Sequence, residues 1–169
     1  ECLVGAPGDG WTIVNGALAA ERDLWVFEMS GELRTALRRA LDYAKQVATH
    51  EQPGHHAPSQ RQTLAQAWIE LELLRLNGLR SVTNALRGNA DALDASRHKV
   101  FGSELAQKVA GLALELQGPF AQLAGREGFS PDRGIAAHQY LTRRSSTLIS
   151  GTSEVQRNII AQRALGLPR

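Results

Sequence analysis

Apolar residues recur at intervals of three and four along most of the chain, the spacing that lines one face of an α-helix, and strict apolar-polar alternation is almost absent. The first such run follows the turn-forming PGDG at 7–10 and carries Val14, Ala17, Leu18, Leu24 and Trp25 on one stripe, which predicts a long helix from about Trp11 to His50. HEQPGHHAP ends it, because proline removes a backbone donor and glycine loosens the chain. A second helix is predicted over about 59–87, with Leu64, Trp68, Leu71 and Val82 on its stripe, stopping at RGN. The third, about 91–117, carries Leu105, Val109, Leu112 and Leu116 and ends in QGP, a glycine followed by proline. After a connection at 118–133 come two shorter helices, about 134–149 and 153–165. The last is expected to open with a capping box, Ser153 accepting from the amide of Gln156 while the Gln156 side chain reaches back. Three long helices and a split fourth predict an all-α fold, an up-and-down four-helix bundle with a short extra C-terminal helix. Residues 1–10 read as a loop from a missing upstream domain and 11–169 as the bundle domain.

Composition narrows the function classes. A chain of 169 residues fits one domain with a real core, and 43% hydrophobic with 21% charged residues argues against disorder. The net charge of +2 is small, and Arg34, Arg38 and Arg39 stand beside Glu32 and Asp42. With two tyrosines and four phenylalanines to offer as stacking surfaces, nucleic acid is not the expected partner. The single cysteine, Cys2, excludes an internal disulfide and a cysteine-rich metal site, which suits a cytoplasmic protein. No leader and no run of about 18 apolar residues is present, so no membrane insertion is expected. The chain begins at Glu1 in a loop-like ECLVGAPGDGW, as a piece of a longer protein would.

Some residues break the helical pattern. Glu21 lies three and four positions after Leu18 and Ala17 and three and four before Leu24 and Trp25, so it projects from the apolar stripe. Burial raises a carboxyl's pKa above about 4.3, toward the range of a general base; the alternative is an ion pair with Arg22 or Arg34 at the stripe's edge. Glu28, one heptad on, poses the same question. His50, His55 and His56 cluster in the Pro/Gly loop without an acid or cysteine at ligand spacing, so a solvated loop is expected rather than a metal site. His98 and His138 are isolated, and a surface or packing role is expected for each. The Gly151-Thr152-Ser153 turn presents amides and hydroxyls where a carbonyl oxygen or phosphate could bind.

The tail LISGTSEVQRNIIAQRALGLPR resembles the C-terminal motif of the acyl-CoA dehydrogenase family, whose members commonly end in Gly-Thr-Ser-Glu-x-Gln-Arg-Asn-Ile-Ile and Leu-Gly-Leu-Pro. Upstream, LAAERDLW is similar to the Leu-x-x-Glu-Arg of the family's first C-terminal-domain helix, RQTLAQAWIELELLR to its second helix and KVFGSELAQKVAGLALELQG to its third. The resemblance spans essentially the whole chain. It implies the helical C-terminal domain of an FAD enzyme that oxidises an acyl-CoA thioester to the 2,3-enoyl form, in lipid β-oxidation, with an electron-transfer flavoprotein as acceptor. The missing domains would hold most of the flavin and coenzyme A contacts, so the piece alone would be inactive, and its uncovered faces predict self-association.

The resemblance also assigns residues. Many members carry the base directly before the Gly-Thr, where this chain has Ser150, whose hydroxyl cannot deprotonate a carbon acid. Others, isovaleryl-CoA and long-chain dehydrogenases among them, use the glutamate of the Leu-x-x-Glu-Arg helix, here Glu21. Arg22 and Gly151 then fall on the substrate side, and Thr152 and Glu154 on the flavin side. Two departures stand out. The arginine and phenylalanine of the family's Arg-x-x-Phe-Gly, which reaches a neighbouring subunit's FAD, fall on Val47 and His50. Its Gln-x-x-Gly-Gly reads Glu115-Leu116-Gln117-Gly118-Pro119. A chain lacking both is a poor donor to a partner's flavin, which points to a mixed assembly rather than a homo-oligomer. The alternatives are a non-catalytic subunit and a flavin oxidase or monooxygenase on the same scaffold. Ala17, Ala19 and Ala20 around Glu21 leave room for a branched or ring-bearing acyl group, a steroid side-chain thioester included.

Overall fold

The computed structural model describes residues 2–50, 58–123 and 130–168, with the side chains of 19–23, 48–50 and 58 outside the description. Its helices are α1 Gly10–His50, α2 Pro58–Leu86, α3 Asp94–Gln117, α4 Ile135–Thr142 and α5 Ser153–Ala164, with 3-10 turns at Gly118–Gln122, Pro131–Gly134 and Arg143–Thr147. No strand occurs among the described residues. The long helices pack up and down. Val26 of α1 faces Gly78 of α2, where a Cβ would stand 2.9 Å from a Val26 methyl carbon, and Trp25 faces Gly102 of α3 at 3.0 Å. The two glycines thus let α1 approach both neighbours closely at one level of the bundle.

The core is the expected stripe on α3 (Leu105, Val109, Leu112, Leu116) interlocked with Val26, Met29, Leu33 and Leu37 of α1 and Ala67, Leu71 and Leu74 of α2. Of the stripe expected on the first half of α1, Trp25 packs against the core, but Val14, Leu18 and Leu24 are exposed, the last by 72%. For Val14 and Leu18 the reason is length: at about 1.5 Å per residue, α1 with 41 residues outreaches α2 with 29 and α3 with 24, and its N-terminal third overhangs them. Val82 on α2 is exposed as well.

Two further expectations are corrected. The helix expected over 134–149 ends at Thr142 and tightens into a 3-10 turn. Hydroxyls there bond back to nearby carbonyls and compete with the α-helical ladder: Ser145 Oγ donates to Thr142 at 2.7 Å and Ser146 Oγ to Arg143 at 2.6 Å. The cap of α5 sits one residue early, with Thr152 Oγ1 accepting from the Val155 amide at 3.2 Å. Ser153 and Gln156 are buried instead, and Ser153 Oγ and Gln156 Oε1 make no hydrogen bond.

Asp94 opens α3 and ties it to α2: Ser81 Oγ donates to its carboxylate at 2.6 Å, as does Arg97 at 2.6 Å. Burial is the largest single influence on this carboxyl and pushes its pKa up, but the Ser81 and Arg97 bonds and the Arg97 charge outweigh burial and hold it below its ordinary value. A depressed carboxylate contributes stability that is full above the unfolded pKa of about 4 and is lost as pH falls through the folded one. Asp94→Asn in the full-length protein should therefore weaken it at neutral pH by about 1–3 kcal/mol. It should also flatten the fall of the urea midpoint below about pH 4; an unchanged acid profile would place the titration elsewhere.

Candidate active site

The face of α1 from Trp25 to Glu32, Lys99 of α3 and the segment Thr142–Ser150 enclose a cavity of about 280 Å³. Trp25, Glu28 and Met29 line it from α1, and Arg143, Ser146 and Ser150 from the opposite side. Arg143 donates to Glu32 at 2.7 Å and fastens the two walls together. Glu28 is exposed and lines the cavity.

Ser150 stands in the left-handed region with φ of 54°, followed by Gly151 at 93°. For a serine this conformation is uncommon and mildly strained, and it sets the residue into the cavity wall just before α5 begins. A hydroxyl there can donate or accept a hydrogen bond but is no base for a carbon acid.

The side chains of Glu21 and Arg22 lie outside the described residues. The backbone of Glu21 belongs to α1, seven residues before Glu28. Seven residues span about 10 Å of helix, so the backbone of Glu21 stands about 10 Å before Glu28, which lines the cavity.

At the start of α5, Thr152 is engaged on both sides. Its oxygen accepts from Val155, and its hydroxyl bonds the Glu154 carboxylate, which is held below the ordinary carboxylate range first by its own backbone amide and then by Thr152. Free amides and the helix dipole favour negative charge at this end, and Glu154 already supplies one. Ser153 Oγ and Gln156 Oε1 are buried without a hydrogen-bond partner, and the accessible group at this turn is the Glu154 carboxylate.

Among the described residues no three histidine, cysteine, aspartate or glutamate side chains gather to hold a metal ion. His98 is buried in α3 and His138 is exposed on α4, while His55, His56 and the His50 side chain lie outside the description. Cys2 is exposed. Among the described residues no helix is long and apolar enough to cross a membrane. At the two departures, Val47 is half-buried, Glu115 is exposed, Gln117 is buried and Gly118 turns the chain with φ of 56°.

The family model of the acyl-CoA dehydrogenase C-terminal domain matches residues 8–165. The chain belongs to the acyl-CoA dehydrogenase family. Acyl-CoA dehydrogenase IpdE1 of Mycolicibacterium smegmatis is 33% identical over 99% of this chain and 39% of its own length. The ChsE4-ChsE5 complex from Mycobacterium tuberculosis is 28% identical with a TM-score of 0.66, covering 79% of this chain and 36% of that one. The Tcur3481-Tcur3483 steroid ACAD shares the fold at a TM-score of 0.80 and 22% identity, over 95% of this chain and 40% of that one. The chain thus spans about two fifths of the length of the curated relatives it matches.

Within this acyl-CoA dehydrogenase domain the sequence reading missed Lys99, which is 2% exposed. The test that singled out Glu21 does not reach it, since the residues three and four positions away, Ala95, Ser96, Gly102 and Ser103, are small or polar in sequence and only the fold buries them. The Arg143–Glu32 pair, 111 residues apart in sequence, left no local signal.

Proposed function

We propose that the full-length protein is an FAD-dependent acyl-CoA dehydrogenase and that this chain, with its bundle over 11–169 and a lead-in loop over 1–10, carries the base on α1. The observation that supports this reading is the cavity between the Trp25–Glu32 stretch of α1, which follows Glu21 on the same helix, and the segment that ends at Ser150, with a serine where many family members place their glutamate. Glu21 takes the α proton of the thioester, with Arg22 and Gly151 on the substrate side. FAD, when bound, supplies the acceptor for the hydride leaving the β carbon, so that the single bond becomes the 2,3 double bond. Thr152 and Glu154, at the start of α5, would hold the flavin through the Thr152 hydroxyl and the Glu154 carboxylate. An electron-transfer flavoprotein takes the electrons onward.

The assembly is a mixed one. Val47 and the Glu115–Pro119 segment depart from the two motifs that serve a neighbour's flavin, and two of the solved relatives are named as pairs of polypeptides. The protein purified from its own cell should therefore hold about one FAD per two related chains; one FAD per chain in a homo-oligomer would contradict the mixed assembly. Incubated with acyl-CoA thioesters and an artificial electron acceptor, it should yield the 2,3-enoyl product. Loss of no hydrogen from any thioester tried, straight, branched or ring-bearing, would overturn the enzymatic reading and favour a non-catalytic subunit. Rapid reoxidation of the reduced flavin by oxygen would favour an oxidase.

A further inference from the structure

We propose that Lys99, with Ser103 and Gln107 behind it on α3, is a positioning residue that sets the Ser150–Gly151–Thr152 turn against α1; its catalytic consequence rests on the function proposed above. The three residues recur every fourth position and so share one helix face. Each holds the 3-10 turn Arg143–Thr147. Lys99 Nζ donates to the Ser146 carbonyl. The Ser103 carbonyl accepts from Ser146 Oγ at 3.3 Å. Gln107 Nε2 donates to Thr147 Oγ1 at 3.0 Å and to the Arg144 carbonyl at 3.4 Å.

Lys99 also reaches α1, where its ammonium stands 5.4 Å from the centroid of the Trp25 ring. A buried amine is costly, and a leucine or methionine would fill this place without that cost. The lysine does what neither could: it donates to a main-chain carbonyl while its charge rests on the ring face of the helix that bears Glu21 and Glu28. Four residues after Ser146 the chain takes the left-handed turn at Ser150. Such a conformation persists when the surroundings over-determine it, and the α3 contacts, with Arg143 on Glu32, supply that constraint. The distance between the carboxylate helix and the turn is thereby fixed by residues in the cavity's own walls.

The test compares full-length Lys99→Met, Lys99→Arg and the milder Gln107→Ala with the unaltered protein. In Lys99→Met, amide exchange at Leu148 and Ile149, both bonded to the Ser145 carbonyl, should quicken about tenfold while that of Leu112 in the core stays unchanged. Turnover should fall about ten- to a hundredfold with KM within about twofold, and Lys99→Arg should recover part of both. If Lys99→Met does not fold, Gln107→Ala carries the same exchange prediction at smaller size. Unchanged exchange at Leu148 and Ile149 overturns the proposal whatever the activity, and quickened exchange with full turnover overturns its catalytic part. Absent thioester oxidation in the unaltered protein, with quickened exchange in the variant, would defeat the proposed function and leave the positioning role standing.

Discussion

Glu21→Gln in the full-length protein should slow the reduction of its bound flavin by an acyl-CoA thioester by about a hundred- to ten-thousandfold, the range a general base contributes. Glutamine keeps the size and most of the hydrogen bonding of glutamate and removes its capacity to take a proton. The flavin content should therefore stay at the level of the unaltered protein, which separates a lost base from a damaged site. If reduction persists, the base lies elsewhere, and Glu28 is the next candidate because it lines the cavity from the same helix. Glu28→Gln, on the present account, should leave the rate within about tenfold, since the proposed base is Glu21.

The largest effect on stability is expected at the centre of the bundle. Leu71 on α2 is 0% exposed and belongs to the same cluster as Leu37 of α1 and Leu105 of α3. Leu71→Ala removes buried methyl groups and leaves a cavity that close-packed helices fill only in part, at a cost of about 2–5 kcal/mol. Leu76, on the same helix, is 52% exposed, and Leu76→Ala should stay within about 0.5 kcal/mol. Urea unfolding of the two variants followed by helical circular dichroism would check the contrast; equal losses would mean that α2 packs differently from the arrangement described.

Much of the architecture was legible because it is local. The three-and-four spacing on α3 located its core face, and Pro/Gly breaks located the ends of α1 and α2 to within a residue. Failures arose where a distant partner decides the outcome. The apolar residues Val14 and Leu18 fit a helix face well, but spacing cannot say whether another helix reaches that far, while Leu24 is exposed beside Trp25 and Val26, which α3 and α2 do reach. The break after Thr142 comes from hydroxyl back-bonding together with the grip of Lys99 on Ser146, the latter a contact across 47 residues. The cap moved from Ser153 to Thr152 because either hydroxyl could serve by sequence, and the structure buries Ser153.

Ser150 before Gly-Thr pointed the search for a base toward α1, and Ser150 lines one cavity with Glu28 of that helix. Lys99 and the Arg143–Glu32 pair were not legible, because their roles depend on which elements lie side by side.

The most direct test is anaerobic mixing of the purified full-length protein, with any partner that accompanies it, with a panel of acyl-CoA thioesters while the flavin absorbance is followed. The account predicts that at least one thioester bleaches the flavin and leaves as the 2,3-enoyl product. A flavin that stays oxidised with every thioester, in a protein reduced normally by dithionite, would contradict it.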